Sequence, residues 1–191
     1  MHDVLIIGGG VAGLQAAVFT AKAGLKTVVL DNGDTLVRNT DKIQNLLTEE
    51  RIAGDEIIET GRERVEEFDG NIEEATVTRL SREDTPGPFT ATTESDDSYQ
   101  SKAVIIATAN GFDLLAPLDD EIEYTDGPEG EFTMEKHIQT DAGNRASDNI
   151  YVAGLANTWE YQTAVAIGDG AKAAVNLVSD HKEEAYIDHD W

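Results

Sequence analysis

Three glycines near the start of the chain have the spacing with which a polypeptide backbone binds phosphate. Gly8, Gly10 and Gly13 form the pattern G-x-G-x-x-G, and Asp31 follows further along the chain. In this pattern the first glycine permits a tight turn, the second lets a pyrophosphate approach the main chain, and the third lets a helix pack on a strand. An acidic side chain about 20 residues further on accepts a hydrogen bond from a ribose hydroxyl. The four residues therefore predict a binding site for the ADP part of a dinucleotide.

The sequence around these glycines predicts the strand, helix and second strand that such a site requires. Residues 4–7 and 27–30 are apolar runs typical of buried parallel strands. Residues 11–23 have the apolar periodicity of a helix, and Gly24 suits the position that ends it. The first turn of this helix offers unpaired N–H groups and the positive end of its dipole to a phosphate. The candidate ligand-binding residues of this unit are Gly8, Gly10, Val11, Ala12, Gly13, Asp31 and Asn32.

The composition is strongly acidic, with 38 Asp and Glu against 14 Lys and Arg and a net charge of −24. Nucleic acids and anionic membranes recruit basic surfaces, so neither is an expected partner. The acids are spread along the chain instead of forming one disordered acidic tail. Molar salt reduces the screening length to about 3 Å, which makes such self-repulsion tolerable. We therefore expect a cytoplasmic protein of a salt-accumulating organism, whose fold is lost in low salt.

Length and missing residue types limit the function further. The 191 residues are enough for a single domain, and the sequence contains no cysteine. This excludes disulfides, thiolate metal sites and dithiol redox chemistry. The sequence has no apolar run of the length that spans a membrane and begins directly on a predicted strand, so we expect no membrane span and no signal peptide. Asp188-His189-Asp190 is interpreted as part of a solvated tail, and no metal site is predicted.

The rest of the chain alternates between predicted strands and helices. Further helices are predicted over residues 56–68 and 163–179. Further strands are predicted over residues 72–80, 89–93, 97–102, 102–108 and 149–154. Polar or acidic sequence predicts surface loops over 32–48 and 113–131 and a charged tail over 180–191. The pattern predicts an α/β fold with a parallel central sheet, helices and a small antiparallel β-meander.

Four blocks of sequence, in order, resemble the FAD domain of the thioredoxin-reductase-like pyridine nucleotide–disulfide oxidoreductases. They are residues 8–31, Ile-Gln-Asn at 43–45, the strand end at 104–109, and residues 149–154 with 162–170. The resemblance implies a Rossmann-like FAD-binding domain, with FAD instead of NAD. It places Asn45 near the isoalloxazine, Thr76 and Val77 at the adenine, and Gln162 and Thr163 at the pyrimidine edge. The FAD-binding residues that it adds are Asn45, Thr76, Val77, Ala107, Thr108, Ala109, Gly154, Leu155, Gln162, Thr163 and Ala164.

The predicted helix that begins near Thr163 gives this assignment a physical reason. Its N-terminal dipole would favour negative charge at the pyrimidine edge of a reduced flavin. The alternative for Gln162 and Thr163 is capping of that helix. Trp159 and Tyr161 precede it and either shield the flavin or, as we favour, act as hydrophobic staples in the core.

The sequence also departs from the family in ways that limit the function. The family's NADPH domain would be inserted between about Gly111 and Phe132, where residues 112–131 lie here, and its redox cysteine pair is missing. Leu155 stands where the family has an aspartate that holds a ribityl hydroxyl, and Ala109 stands where the family has a glycine. Loss of one such hydrogen bond costs about 0.5–1.5 kcal/mol, or about tenfold in affinity.

Three functions remain open, and no catalytic residue is assigned. The first is a FAD-dependent oxidoreductase or electron-transfer flavoprotein. It would take electrons from a partner protein or from free NAD(P)H, and a partner or a second copy would cover its exposed apolar surface. The second is a non-catalytic nucleotide-binding or structural module descended from the same fold. The third, a nicotinamide-binding protein that uses the ADP half of the site alone, fits the late strand and helix of the chain less well.

Overall fold

A sheet with parallel strands at its centre runs through the computed structural model, which describes residues 1–47, 49–109, 111–127 and 135–189. The strands are β1 (His2–Ile7), β2 (Thr27–Asp31), β3 (Asn71–Glu74), β4 (Val77–Arg82), β5 (Phe89–Thr93), β6 (Ser98–Ile106), β7 (Tyr124–Asp126), β8 (Lys136–Ile138), β9 (Arg145–Ser147) and β10 (Ile150–Val152). The α helices are α1 (Val11–Lys22), α2 (Gly54–Glu67) and α3 (Thr163–Lys182), and 3-10 helices span Leu36–Asn39, Asp113–Leu118 and Gly154–Ala156.

The order of the main sheet is β3-β2-β1-β6-β10-β9, in which every neighbouring pair is parallel except β10 and β9. Ile6 lies between Val29 of β2 and Ile105 of β6, so apolar residues occupy the middle of the sheet. β4 and β5 continue from β6 as antiparallel strands. The predicted α/β class with a parallel centre and a small antiparallel part is confirmed.

Helices α1, α2 and α3 cover one face of the sheet, and small residues let them approach closely. A Cβ on Gly170 of α3 would lie 2.1 Å from the carbonyl oxygen of Ala12 in α1. A Cβ on Gly61 of α2 would lie 3.0 Å from Leu14 of α1. The N-terminal ends of α1 and α3 are therefore brought to the edge where β1, β6 and β10 end. Parallel α/β sheets bind their ligands at that edge.

Two strand predictions differ from the structure. The single strand predicted over residues 72–80 is divided into β3 and β4, because the chain changes partner between them. The N–H of Ala75 still donates to Asp31 of β2, whereas Thr76 already accepts from Glu94 beside β5. Conversely, the strands predicted over 97–102 and 102–108 are the one strand β6, whose first half pairs with β5 and whose second half pairs with β1 and β10.

The acidic stretch 113–131 is not simply the surface loop that its composition predicts. Leu115, Leu118 and Ile122 are buried and pack on the second face of the sheet. Their apolar side chains recur within an acidic sequence, so the overall composition hid them. β7 follows and pairs with β8, and residues 128–131 of the predicted loop lie outside the described residues.

The predicted tail also begins later than expected. Helix α3 continues to Lys182, and Tyr186 then packs on the core. Asp188 forms an ion pair with Lys22 of α1 at 2.8 Å, so the described part of the segment is tied to the fold. In the described part of the chain no helix is long and apolar enough to cross a membrane.

Candidate functional site

A cleft of about 570 Å³ lies between the N-terminal ends of α1 and α3. Neither helix has a side-chain hydrogen bond at its N-cap, which is Gly10 in α1 and Gln162 in α3. The first N–H groups of a helix have no partner within the helix, so both ends present donors and a positive dipole to the cleft. The lining residues that the sequence predicted are Gly10, Val11, Ala12, Asn45, Ala107, Thr108, Ala109, Gly154, Leu155, Gln162 and Thr163.

The glycines of the fingerprint have different structural roles. Gly8 has a φ of +106°, and a Cβ there would lie 2.5 Å from the carbonyl oxygen of Ala107. A Cβ on Gly13 would lie 1.9 Å from the carbonyl oxygen of Gly8. Gly8 and Gly13 therefore hold β1, β6 and α1 together without lining the cleft, whereas Gly10 forms part of its wall.

Asp31 lies at the end of β2, beyond the residues that line the cleft, and is 5% exposed. Its Oδ1 accepts hydrogen bonds from the backbone N–H groups of Gly9 at 3.2 Å and Gly33 at 3.1 Å. Its Oδ2 accepts from Nη1 of Arg62 at 3.2 Å. Sequence reasoning missed Gly9 and Arg62. Gly9 is required because a Cβ there would lie 2.3 Å from Cγ of Asp31.

The second end of the cleft is organised by a carboxylate that sequence reasoning also missed. Asp169 of α3 accepts hydrogen bonds from the backbone N–H of Gly154 at 2.7 Å, from Nδ2 of Asn144 at 2.6 Å and from Nδ2 of Asn157 at 3.0 Å. Gly154 itself has a φ of +68°. Asp169 therefore fixes the turn that follows β10, while the side chain of Leu155 contributes to the lining of the cleft.

Two further hydrogen bonds connect this end of the cleft to other elements. Nδ2 of Asn45 donates to Oε1 of Gln162 at 2.8 Å and so joins the segment before α2 to the start of α3. Nδ1 of the buried His137 in β8 donates to the carbonyl oxygen of Leu155 at 3.0 Å. The wall formed by Leu155 is thus held from the β7–β8 ribbon.

Some predicted site residues do not line the cleft. Asn32 is exposed and accepts a hydrogen bond from the backbone of Asp34, and Ala164 is exposed on α3. Thr76 and Val77 lie at the junction of β3 and β4, where Val77 pairs with Thr93. The predicted adenine contacts are therefore separate from the cleft, on the same side of the molecule as β2 and β3.

The cleft is less charged than the rest of the chain. Among the described lining residues, Lys42 and Glu160 carry opposite charges, and most of the others are apolar or uncharged. Oγ1 of Thr108 is buried at the cleft wall and has no hydrogen-bond partner among the described residues. The site therefore suits a large ligand that has both an apolar or aromatic part and polar groups.

Exposed aromatic side chains lie beside the cleft instead of in the core. Trp159 is 58% exposed and Tyr161, which lines the cleft, is 45% exposed. The interpretation of these residues as core staples is wrong, because the loop before α3 follows the mouth of the cleft and does not cross the interior. The described residues contain no group of three or more side chains that could hold a metal ion, and Asp190 lies outside them.

The sequence and the fold place the chain in a known protein family. Residues 2–168 match the family model described as pyridine nucleotide-disulphide oxidoreductase, and the chain belongs to this family. The resemblance to thioredoxin-reductase-like proteins is confirmed.

Among curated relatives, a subunit of alkyl hydroperoxide reductase in Staphylococcus epidermidis is 37% identical over 109 residues, which cover 56% of this chain and 21% of that protein. The corresponding protein of Staphylococcus aureus is 35% identical over 116 residues, covering 60% and 22%. The chain thus spans about a fifth of the length of these relatives.

Solved structures show the same fold at lower sequence identity. A thioredoxin reductase from Gloeobacter violaceus has a TM-score of 0.80 and 20% identity, covering 100% of this chain and 98% of that chain. The atypical thioredoxin reductase TRi from Desulfovibrio vulgaris Hildenborough has a TM-score of 0.76 and 22% identity, covering 98% and 100%.

Proposed function

We propose that this chain binds FAD in the cleft and acts as a redox flavoprotein that passes electrons between a donor and an acceptor. The observation that carries the proposal is the pair of helix N-termini, those of α1 and α3, that open into one cleft without side-chain caps. Two helix ends that favour anions in one cleft match a ligand in which a pyrophosphate is linked to an electron-accepting ring.

The described residues fit FAD at several points. The backbone N–H groups of Val11 and Ala12 are placed to hold the pyrophosphate, because they belong to the first turn of α1. The unpaired Oγ1 of Thr108 provides a polar group along the cleft. Gln162 and Thr163 would hold the pyrimidine edge of the flavin, and Asp31 would accept a hydrogen bond from the ribose.

The protein's contribution to the chemistry is electrostatic and steric. FAD supplies the ability to accept and release electrons when it is bound. The first turn of α3 favours negative charge beside it, which stabilises the reduced form relative to water. The apolar wall formed by Ala107, Ala109 and Leu155 keeps water from the ring. No side chain is assigned as a proton donor.

Electrons would come from a partner protein or from free NAD(P)H at the mouth of the cleft. Leu36 lines the cleft and is exposed, and Trp159 lies in the loop that follows its mouth. Leu47, in the segment that follows Asn45, is fully exposed. Exposed apolar side chains of this kind favour association, so a redox partner or a second copy of the chain is expected to cover them.

A non-catalytic nucleotide-binding module is the second candidate. The observation that favours it is Leu155, which presents an apolar side chain where the family holds a ribityl hydroxyl. A protein that bound only the nucleotide half would retain Gly10 and Asp31 and tolerate this change.

The visible spectrum distinguishes the two candidates. The protein would be purified in molar salt, which we propose that its net charge of −24 requires in the cytoplasm of a salt-accumulating organism. We expect flavin absorption bands, restored by added FAD if they are lost during purification. Bleaching of the bands by NADH or NADPH would identify free nicotinamide nucleotides as donors. A colourless protein that takes up no FAD contradicts the proposal. A thermal unfolding temperature that is the same in low and molar salt contradicts the salt requirement.

A further inference from the structure

Arg62 is a charged residue on the buried face of α2. It follows Ile58 by one helical turn and precedes Val65 by another, and both of these side chains are buried. Residues three and four apart lie on the same face of a helix, so the apolar pattern would place an aliphatic side chain at this position. The side chain is 29% exposed, and its guanidinium reaches Asp31 at the end of β2.

The close packing of α2 makes this contact possible. Gly61, the preceding residue, lies against Leu14 of α1, and a Cβ on Gly54 at the start of α2 would lie 1.7 Å from the carbonyl oxygen of Val37. Larger side chains at these two glycines would move α2 away from α1 and β2. The position of Arg62 is therefore set by the packing of a whole helix.

The contact also determines which oxygen of Asp31 is available to a ligand. Oδ1 already accepts the backbone N–H groups of Gly9 and Gly33. A carboxylate oxygen accepts about two hydrogen bonds, so Oδ1 is saturated. Oδ2 accepts from Arg62 and has one position left. A ribose hydroxyl that donates to Asp31 must therefore donate to the oxygen that Arg62 holds.

We propose that Arg62 is a positioning residue for the adenosine ribose. It holds Oδ2 of Asp31, the oxygen that can still accept a hydrogen bond, and so carries part of the affinity for the ADP half of the ligand. A ribose hydroxyl is both a donor and an acceptor, and a guanidinium has five N–H donors in a fixed plane. Asp31 accepts from the ribose, and Arg62 fixes Asp31 and adds a donor beside it. The proposal rests on nucleotide binding at the fingerprint.

A purely structural ion pair would behave differently. A pair between Arg62 and the buried Asp31 that only supported the fold would lower stability when lost, and its loss would affect all ligands equally or not at all. A positioning role changes the affinity for ligands that contain adenosine and spares ligands that lack it. FAD, FMN and ADP separate the two roles, because FMN has the flavin without the adenosine and ADP has the adenosine without the flavin.

The test compares Arg62→Met, which keeps much of the side-chain volume without charge, with Arg62→Lys and with the control Arg64→Met. Arg64 lies on the same helix, is exposed and pairs with Glu67 at 3.2 Å. Dissociation constants for FAD and FMN would be measured in molar salt by flavin fluorescence, and that of ADP by calorimetry. We expect Arg62→Met to weaken FAD and ADP about tenfold and to leave FMN unchanged. Arg62→Lys should weaken FAD and ADP less than Arg62→Met does, and Arg64→Met should change none of the three dissociation constants.

A double-mutant cycle tests whether Arg62 acts through Asp31. In an Asp31→Asn background, Arg62→Met should cause little further loss of ADP affinity. Equal weakening of FAD and FMN, additive losses in the cycle, or unchanged ADP affinity would overturn the proposal. Wild-type protein that binds ADP but no flavin would refute the proposed function alone, since the effect of Arg62 is still read with ADP. Wild-type protein that binds none of the three ligands would overturn both.

Discussion

The two ends of the cleft are built by different means. At the α1 end the contacts are made by the backbone, and Gly8 and Gly13 approach neighbouring main-chain atoms so closely that a methyl group has no room. At the α3 end the turn after β10 is held by side chains, through the hydrogen bonds of Asp169 to Gly154, Asn144 and Asn157. The first end therefore depends on glycines in close backbone contact, whereas the second depends mainly on side-chain hydrogen bonds around Asp169.

Leu155, where the sequence departs from the family pattern, lies at the end that side chains hold. In the family that the chain resembles, a carboxylate at this position faces the ligand. Here a carboxylate from α3, that of Asp169, fixes the same turn from within the protein, and an apolar side chain lines the cleft. The turn at the α3 end is therefore held without a carboxylate at position 155, and the side chain of Leu155 offers no hydrogen bond to a ligand.

The largest expected effect is at the backbone end. Gly13→Ala would place a Cβ 1.9 Å from the carbonyl oxygen of Gly8, which neither main chain can avoid without moving. We expect loss of FAD binding and a decrease in the free energy of unfolding of about 1–3 kcal/mol. The control is Gly168→Ala in α3, where no atom lies within 4 Å of the added Cβ, and which should leave binding unchanged and stabilise the helix. Fluorescence titration with FAD and thermal unfolding in molar salt measure both effects.

The next largest effect is expected at the side-chain end. Asp169→Ala removes the acceptor of the N–H of Gly154 and one acceptor of the buried Asn144, which also donates to Val152, and we expect the lost hydrogen bonds to cost about 2 kcal/mol of unfolding free energy. FAD affinity should fall as well, because the turn loses its support. Lys172→Ala, at an exposed position of the same helix, should change stability by less than about 0.5 kcal/mol. Chemical denaturation gives the comparison, and equal stability of the two variants would show that the network does not hold the turn.

The ion pair of Arg82 with Glu121 lies away from both ends of the cleft, and its loss should lower stability without changing FAD affinity. Arg82, which is almost completely buried, donates to Glu121 and holds the pKa of that carboxyl below its usual range. Since the pKa is lowered by folding, the stabilisation is present above about pH 4 and is lost as the pH falls through the folded pKa.

Glu121→Gln should lower the free energy of unfolding at neutral pH by about 2 kcal/mol and reduce the loss of stability in acid. The exposed Glu123→Gln should do neither. Unfolding followed between about pH 3 and pH 7, which brackets the usual carboxyl pKa, measures this. A change in FAD affinity in Glu121→Gln would mean that this region is coupled to the cleft.

The smallest effect is a gain of binding. Leu155→Asp should tighten FAD binding about tenfold, the value of one added hydrogen bond, because it restores a ribityl acceptor at the wall of the cleft. Leu155→Asn, which adds an uncharged acceptor, should give part of this gain. Unchanged affinity in both variants would place the ribityl chain elsewhere and would favour a ligand that does not reach the α3 end.

Residues that make backbone contacts could be predicted from the sequence, whereas residues that act through side-chain contacts could not. Gly8 and Gly13 are recognisable because contacts with the main chain leave no room for another residue. Gly10 is recognisable by its spacing from these two glycines. Asp169 and Arg62 were missed because their roles depend on tertiary contacts with Asn144 and Asp31, far away in sequence. A charge on an apolar helix face was the one signal for Arg62. Asp169 lies in the block 162–170 that resembles the family, but its local sequence does not indicate its hydrogen bonds.

The strands were predicted with similar limits. Residues 4–7 and 27–30 were recognised because buried parallel strands are continuously apolar. The division of residues 72–80 between β3 and β4 depends on which strand each half pairs with, and local sequence does not contain that information. Leu115 and Leu118 were assigned to the surface because acidic neighbours outnumber them.

The β7–β8 ribbon has a mechanical consequence for the cleft. His137 of β8 is bonded to the carbonyl oxygen of Leu155, so a displacement of the ribbon pulls directly on the wall beside the ligand. The resemblance places the second domain of the family between about Gly111 and Phe132, a range that includes β7 and ends before β8. A domain inserted there, or a partner protein that binds the ribbon, would displace the α3 end of the cleft and leave the glycine end in place.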